Sequence, residues 1–395
     1  MNQALFAAIQ DVASRIPELK ADRQYWFIRT NGGLFYNDFL DSASVGIGYN
    51  LVTWAQIRDA FAKNKDAEGG IVSAVLKRYD DFDKNKLGRV AGLFSRFYID
   101  MQPGDVVVMP SAGSVEYAFG IVTDDEPYEV ETTTTDDKLI YRKRRHVEWV
   151  ARKQARSLDS NLYEAFRAPQ AMSTLNPFAS YLDREMHSLY SKGGQTHVRL
   201  DITTPDGING TDYFAMGSAL FSLCQWFRDE TEIDFESSEV DVRQNIQSPG
   251  VFELIGKNRV VTTFLACTLT VALFGGHAKS DTLKIDIGTE GAFPFMLEVY
   301  KEHNKQQNMQ AVLASTLGKM KAEQGDDMLR IVAGQAPVTS ENAADAPTEV
   351  PATAASSAAA ATVATASLAK STAPATLADS TSKATPPPPP KPDKP

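Results

Sequence analysis

Five short strand-like segments, each bounded by turn residues, constrain the fold more than any other feature of the sequence. In chain order they read QYWFIRT, SVGIGYN, GDVVVMP, EYAFGIV and RHVEWV, all within the first 155 residues. Alternating or β-branched apolar residues between Gly, Pro, Asn and Asp are typical of short strands. Several such strands with one or two helices predict a small β-barrel.

Two further features support a closed barrel with a single strand register. The segment GRVAGLFSRFYIDM places Val90, Leu93, Phe94 and Phe97 at helical spacing, so we expect a helix whose apolar face covers the open side of the barrel. Asp105 directly follows Pro103–Gly104, which predicts a tight turn entering the strand GDVVVMP.

The same segments, in the same order, resemble a known family. YWFIRTNGGLFYNDFL, SVGIGYN, GRVAGLFSRFYIDMQPGDVVVMP, YAFGIV and RRHVEWV are similar to the PUA/EVE-like domain at the N-terminus of Mrr-type restriction and related phage-defence proteins. The resemblance covers about residues 23–155. It implies a small barrel that contacts nucleic acid and has an aromatic-lined cleft able to accept a flipped or modified base.

Carried onto this sequence, the resemblance implies a set of cleft residues near the first strands and beside a later one. They are Trp26, Arg29, Phe35, Tyr36, Tyr49 and Tyr117. Trp26 and Phe35 alternate on strand-like segments, so a role in the core is the alternative for both. Arg29 is either a phosphate contact or a buried ion-pair partner. The final predicted site keeps Arg29, Tyr36, Tyr49 and Tyr117.

The basic run YRKRRHVEWV completes the predicted site with Arg142, Lys143, Arg144 and Arg145. The net charge of −10 and the pI near 5.1 argue against a surface that binds phosphate everywhere, but a local cluster remains compatible with them. A solvated edge strand is the alternative reading. If the assignment is right, these side chains border the same concavity as Tyr36 or Tyr49. Nucleic acid is the expected partner, and DNA is favoured over RNA.

Composition and element order divide the rest of the chain. We predict an amphipathic helix for residues 1–22, the barrel for residues 23–155 and a helical connector for residues 156–195. For residues 196–334 we predict an α+β domain of unknown role. Residues 335–395 are rich in Ala, Thr and Pro and are expected to be disordered, because they carry too little apolar surface to form a core. The closing proline run can bind a partner. A homo-oligomer is left open.

No complete catalytic motif occurs in the sequence, and catalytic residues are therefore unknown. We expect no cofactor and no metal. Because relatives of the resembling type often carry a nuclease, Glu239, Asp241 and Asp286 are the candidates for a diverged metal-dependent site. The alternative is that these carboxylates only alternate along an exposed strand face and have no catalytic role.

One apolar stretch, VVTTFLACTLTVALFGG from Val260, raises the question of a membrane. It is shorter than the roughly 20 residues that a spanning helix needs, and it contains four threonines. A buried helix or a pair of buried strands is favoured, and a membrane-associated effector using residues 260–274 is the alternative. Cys224 and Cys267 fit no metal spacing and are expected to be buried thiols. The expected location is the cytoplasm. The role that the resemblance implies is nucleic-acid binding, as a reader of modified bases in bacterial restriction or anti-phage defence.

Overall fold

The computed structural model describes residues 3–63, 81–132, 134–204, 209–245, 250–274 and 304–335, with isolated positions at 70, 75, 77–79, 279–280 and 285–286. Within these residues the chain is mixed α+β and builds two large sheets. The predicted α+β class is confirmed. The predicted disordered tail, residues 335–395, lies outside the described residues except for Gln335.

Elements are numbered in chain order. The strands are β1 (Glu18–Leu19), β2 (Tyr25–Ile28), β3 (Ser44–Ile47), β4 (Val106–Pro110), β5 (Glu116–Val122), β6 (Tyr128–Glu129), β7 (Lys143–Gln154), β8 (Met172–Thr174), β9 (Leu189–Lys192), β10 (Gln195–Ile202), β11 (Val240–Asn245), β12 (Gly250–Gly256), β13 (Lys279–Ser280), β14 (Ile285–Asp286) and β15 (Ala322–Gln324). The helices are α1 (Gln3–Arg15), α2 (Tyr36–Asp41), α3 (Trp54–Lys63), α4 (Lys84–Ser95), α5 (Leu162–Ala165), α6 (Ala179–Met186), α7 (Gly210–Thr231), α8 (Arg259–Phe274), α9 (Asn304–Met320) and α10 (Asp326–Val332).

The first sheet is curled into a half-barrel. Its strand order is β3-β7-β5-β4-β2-β8, with β6 also beside β7; β2 and β4 are parallel and the other pairs are antiparallel. The long strand β7 pairs with β3 by its first residues and with β5 by the rest, and a register shift between Phe119 and Gly120 bends the pair. Among the described residues, the end strands β3 and β8 do not pair with each other.

Both faces of the first sheet are covered. Val90, Leu93, Phe94 and Phe97 of the predicted helix are buried on one face, in α4 and in the single π-helical turn Arg96–Asp100 that follows it. Alternate residues of β2 and β4 enter a second apolar cluster with α5 and α6 on the other face. Burial on both sides explains why the central strands read as continuous apolar runs in the sequence.

The second sheet has the order β1-β9-β10-β12-β11, and β15 pairs with the same edge of β10 as β9 does. Helices α1, α7, α8, α9 and α10 contribute to the apolar core on one face of it. The N-terminal amphipathic helix spans Gln3–Arg15, shorter than the predicted residues 1–22, and its residues Leu5, Ile9 and Val12 lie in this core. Arg259 fastens the end of that helix, because its guanidinium donates to the carbonyl oxygens of Ala13 and Ile16.

The apolar stretch from Val260 forms the buried helix α8, one of the two structures left open by the sequence. Every residue from Val261 to Ala272 is buried. In the described part of the chain, no helix combines the length and the apolar character that crossing a membrane requires.

The structure differs from the helical prediction for residues 156–195. Only α5 and α6 are α-helical there, while β8 extends the first sheet and β9 belongs to the second. The backbone of β8 pairs with the edge of β2, so that Met172 lies opposite Ile28. Prolines at 169 and 177 interrupt a continuous helix in this passage.

Helix α6 connects the two sheets through three consecutive charged residues. Asp183 binds Arg23 and Lys192, Arg184 binds Asp159 and Glu253, and Glu185 binds Lys153 and Arg199. Asp183, Glu185 and Glu253 are all buried, with at most 4 % of their surface exposed. Because buried carboxylates require cationic partners, this arrangement fixes the position of α6 between the sheets.

Candidate functional site

A polar cavity of about 600 Å³ opens at the start of β2, where the first sheet meets the π-helical turn and the turn before β4. We call it the Trp26–Asp105 cavity. Its lining residues are Lys20, Asp22, Arg23, Gln24, Trp26, Arg96, Asp100, Gln102, Pro103, Asp105, Thr174 and Asn176. The volume falls within the range typical of small-ligand sites.

Asp105 organises one wall of this cavity. The turn that carries it passes through Gly104, whose φ of +92° favours glycine. The Asp105 carboxylate accepts hydrogen bonds from the backbone N–H of Gln24 and of Gln102 and from the indole Nε1–H of Trp26, each at 2.9 Å. The predicted tight turn therefore holds the indole in place as well as starting the strand.

Two amide side chains line the cavity beside the indole. The Asn176 side-chain oxygen accepts from the backbone N–H of Tyr25 at 2.8 Å, and its Nδ2 donates to the side-chain oxygen of Gln24. The Gln24 Nε2 donates to the carbonyl oxygen of Asp22 at 2.8 Å. These contacts fix the amides by hydrogen bonds to backbone, so the polar groups of the wall are pre-positioned.

Arg96 is a cation of the cavity lining that has no counter-charge among the described residues. Within the described residues, no carboxylate lies within ion-pair distance of its guanidinium, and its Nε is buried without a hydrogen-bond partner. Lys20 donates from Nζ to the carbonyl oxygen of Pro103 at 3.2 Å. An unpaired guanidinium beside an ammonium group is suited to binding an anionic ligand group.

Arg23 connects the cavity with the buried ion pairs of α6. Its Nε donates to the hydroxyl of Tyr25 at 2.7 Å and its Nη2 to Asp183. Lys192 donates from Nζ to both Tyr25 and Asp183 at 2.8 Å. Burial alone would raise the pKa of the Asp183 carboxyl, but the positive charge of Arg23 and the hydrogen bonds from Lys192, Tyr25 and Arg23 hold this pKa below its ordinary value.

The basic run of β7 is largely internal. Lys143, Arg144 and Arg145 are 0 %, 2 % and 0 % exposed. The Arg144 guanidinium binds Asp38, Ser42, Ser44 and the carbonyl of Tyr141, while that of Arg145 binds Asp124 and the carbonyls of Phe97 and Met101. These three side chains tie loops to the sheet and present little surface to a phosphate. Arg142 is half-buried, and its Nε has no partner among the described residues.

Lys143 lies beside Tyr49, as the predicted site requires, but through an internal contact. Its Nζ donates to the carbonyl oxygens of Tyr49 and Val52, both at 2.9 Å. Burial lowers the pKa of Lys143 to about 8, although Glu129 and Asp137 oppose this shift. Tyr49 itself has a φ of +64° and packs edge-on against Tyr79, Phe82 and Phe94.

The remaining predicted residues are dispersed over the first sheet. Arg29 donates to the carbonyl oxygen of Ala168, the Tyr36 hydroxyl donates to Glu116 at 2.6 Å, and the buried Tyr117 ring stacks on Phe166 at 4.4 Å. The structure does not bring the predicted set together around one concavity, and none of its members lines the Trp26–Asp105 cavity. Trp26, for which cleft and core roles were both considered, lines the cavity and is only 4 % exposed.

Sequence reasoning missed Arg96, Gln102 and Asn176 as site residues. The turn at Pro103–Gly104–Asp105 was predicted from the sequence, and the polar residue Gln102 beside it was the signal that could have indicated a site there. For Arg96 no signal existed, because its placement depends on the π-helical turn after α4.

The other large cavity, of about 640 Å³, lies between the sheets and is lined by charged side chains that bind one another. Arg152 pairs with Glu116, Lys153 with Glu185, and Arg199 with Glu185 and Asp201. Most of the charges that line this cavity are therefore matched, whereas Arg156 and Glu323 also line it and are in no ion pair with the described residues.

The nuclease candidates are also placed in part. Glu239 ends the 3-10 turn directly before β11, and Asp241 lies in β11. Asp286 lies in the two-residue strand β14. In the portions of the chain that the structure describes, no three His, Cys, Asp or Glu side chains cluster closely enough to hold a metal ion.

Comparison with known proteins gives one match. Residues 35–175 match the family model of a domain of unknown function, DUF8426. The match contains Arg96, Asp100, Gln102, Pro103, Asp105 and Thr174 of the cavity, while its remaining lining residues lie outside it. No curated protein and no solved structure matches the chain.

Proposed function

We propose that this chain binds nucleic acid, with an unpaired base in the Trp26–Asp105 cavity and a phosphate on Arg96. The observation that carries the proposal is a cavity of about 600 Å³ that is lined by the Trp26 indole and by polar side chains. The Arg96 guanidinium in its lining has no acidic partner among the described residues. Proteins that extract a base recognise it by packing against aromatic groups and by hydrogen bonds to its edge. Both kinds of group line this cavity.

The distribution of charge supports the same reading. The protein has a net charge of −10, so non-specific attraction over the whole surface is not expected. The cavity lining nevertheless includes three cations and three carboxylates, namely Lys20, Arg23, Arg96, Asp22, Asp100 and Asp105. Arg23 is already paired with Asp183, so Lys20 and Arg96 are the cations of the lining that are left to bind a phosphate. Two such cations suit one nucleotide better than a long duplex track.

The wall of the cavity carries amide groups that can pair with the edge of a base. Gln24, Gln102 and Asn176 supply amide groups, and amides can donate and accept in the same plane as a base edge. Eight of the twelve lining residues lie in residues 23–155, the segment whose sequence resembles the PUA/EVE-like domain of phage-defence proteins. A role as a reader of modified bases in bacterial restriction, with DNA favoured over RNA, is part of this proposal.

The proposal is tested by fluorescence anisotropy with labelled single-stranded DNA, single-stranded RNA and duplex DNA of the same sequence. Arg96→Gln is expected to weaken binding ten- to a hundredfold, because a charge-assisted hydrogen bond contributes roughly 1.5–3 kcal/mol. The slope of log affinity against log salt should fall by about 1, the loss of one phosphate contact.

Arg167→Gln is the matched control, because Arg167 is an exposed arginine in the turn after α5 and lies outside the cavity. It should bind like the wild type. Failure of the wild type to bind every probe at about 50 mM salt, or equal loss in both variants, would contradict the proposal. Thermal denaturation of each variant verifies that the comparison is between folded proteins.

A further inference from the structure

Among the described residues, strand β11 forms an edge of the second sheet that no other strand covers. It pairs with β12 over six consecutive residues without a register shift, and no strand lies on its other side within the described residues. Asp241, Val242 and Arg243 are exposed. Proteins usually protect such an edge with charged residues, proline or a bulge. The strand sequence VDVRQN has no proline and no bulge, and its only charged residues are Asp241 and Arg243.

The two faces of β11 differ in chemistry. Val240 and Val242 line an apolar cavity of about 320 Å³ between the strand and α7, together with Phe214. Phe214 is 74 % exposed and Val242 is 39 % exposed, so the rim of this cavity is an apolar surface facing water. Asp241 and Arg243 alternate with these valines and point to the opposite face. Neither Asp241 nor Arg243 has an ion-pair partner among the described residues.

We propose that β11 pairs antiparallel with β11 of a second copy of this chain, about a two-fold axis at Val242. In this register Asp241 lies opposite Arg243 of the second copy, and Arg243 lies opposite its Asp241. Both charges on the exposed face then gain a partner of opposite sign. On the other face the two Val242 side chains meet beside the exposed Phe214 residues, which removes the apolar rim from water. The contact is isologous and closes at two copies.

Charge selects this register over its neighbours. Centring the axis on residue 241 would place Asp241 opposite itself, and centring it on residue 243 would place Arg243 opposite itself. Like charges directly opposed across a strand pair are destabilising. A shift by one residue would place Val242 opposite a charged residue. The alternation of acid, valine and base therefore fits a second copy of the same strand.

The register is tested by charge reversal and by mixing. Asp241→Arg and Arg243→Asp should each shift the monomer–dimer equilibrium toward the monomer by at least tenfold in sedimentation equilibrium, because each creates two like-charge contacts. An equimolar mixture of the two variants should dimerise again, since every contact between unlike variants is attractive. Glu126→Arg, an exposed charge reversal in the loop before β6, is the matched control and should dimerise like the wild type.

Cross-linking tests the axis itself. Directly opposed residues of antiparallel strands have Cα atoms about 4.5–5.5 Å apart, which a disulfide can span. Val242→Cys should therefore form a covalent dimer under an added oxidant. Asp241→Cys should not, because the two substituted positions would lie about 8 Å apart. Both native thiols are buried and do not compete.

A wild type that stays monomeric at the highest attainable concentration would overturn the proposal. So would a dimer that survives both charge reversals, or a mixture that fails to restore it. These results do not depend on nucleic-acid binding, because β11 lies on the second sheet and outside the Trp26–Asp105 cavity.

Discussion

The carboxylate of Asp183 offers the most direct measure of what joins the two sheets. Its side chain is 1 % exposed and that of Arg23 is 3 % exposed. It accepts from the hydroxyl of Tyr25 at 2.5 Å, from Lys192 at 2.8 Å and from Arg23. Asp183→Asn preserves the volume but removes the charge, so both cations lose their counter-ion.

The expected cost follows from these contacts. The asparagine oxygen can still accept from Arg23 or Tyr25, but its amide N–H groups face the Lys192 ammonium, which is also a donor. One charge-assisted hydrogen bond is therefore lost, at roughly 1.5–3 kcal/mol. When a buried charge is left unpaired, the usual total loss of unfolding free energy is about 3–5 kcal/mol. Lys192 is 20 % exposed and can be partly hydrated, so we expect about 3 kcal/mol, the lower end.

The assay is urea unfolding followed by tryptophan fluorescence and by circular dichroism. Asp212→Asn is the matched control, because Asp212 pairs with Lys319 at 2.7 Å in an exposed position. It should lose at most about 1 kcal/mol. If Asp183→Asn were no more destabilising than Asp212→Asn, the conclusion that the α6 ion pairs hold the sheets together would be wrong.

The same carboxyl also predicts a pH dependence. Its pKa in the folded protein lies below the ordinary value, so its contribution is fully present above the unfolded pKa of about 3.9. The contribution is lost as the pH falls through the folded pKa. Asp183→Asn should therefore lose stability less steeply than the wild type below about pH 4.

Three further predictions concern other parts of the fold. Burial lowers the pKa of Lys143 to about 8, so the free energy of unfolding of the wild type should increase as the pH rises from about 8 toward the unfolded pKa of about 10.4. Lys143→Met should not show this increase in urea titrations at each pH. Gly120→Ala should cost roughly 1–3 kcal/mol in unfolding free energy, since the new Cβ would meet Val147 and lie 2.9 Å from the carbonyl oxygen of Glu148. Cys224 and Cys267 are buried, which raises the pKa of each thiol to about 12, so a thiol reagent should label them only after denaturant is added; rapid labelling of the native protein would contradict this burial.

The strands of the first sheet were predictable because their signal is local. A short alternating or continuous apolar run between turn residues identifies a strand without knowledge of its neighbours. Five strands match predicted segments, namely β2, β3, β4, β5 and β7. Strand β8 carries no such signal. It is three residues long, and it is extended because it completes the edge of β2.

The candidate site was harder to predict because its chemistry is non-local. The basic run looked like a surface cluster, yet Lys143 binds a carbonyl 94 residues away and Arg145 one that is 44 residues away. Whether a cation is solvated or buried depends on such distant acceptors. In the same way, Asp105 meets Trp26 across 79 residues, and no spacing in the sequence reveals that contact.

The position of α1 determines the order in which the two sheets can be completed during synthesis. All strands of the first sheet lie between residues 25 and 174, so that sheet can form while the ribosome is still extending the chain. The second core requires α1 at one end and α10, which ends at Val332, at the other. Until that last helix emerges, Leu5, Ile9 and Val12 have no finished surface to pack against, and the apolar face of α1 stays uncovered.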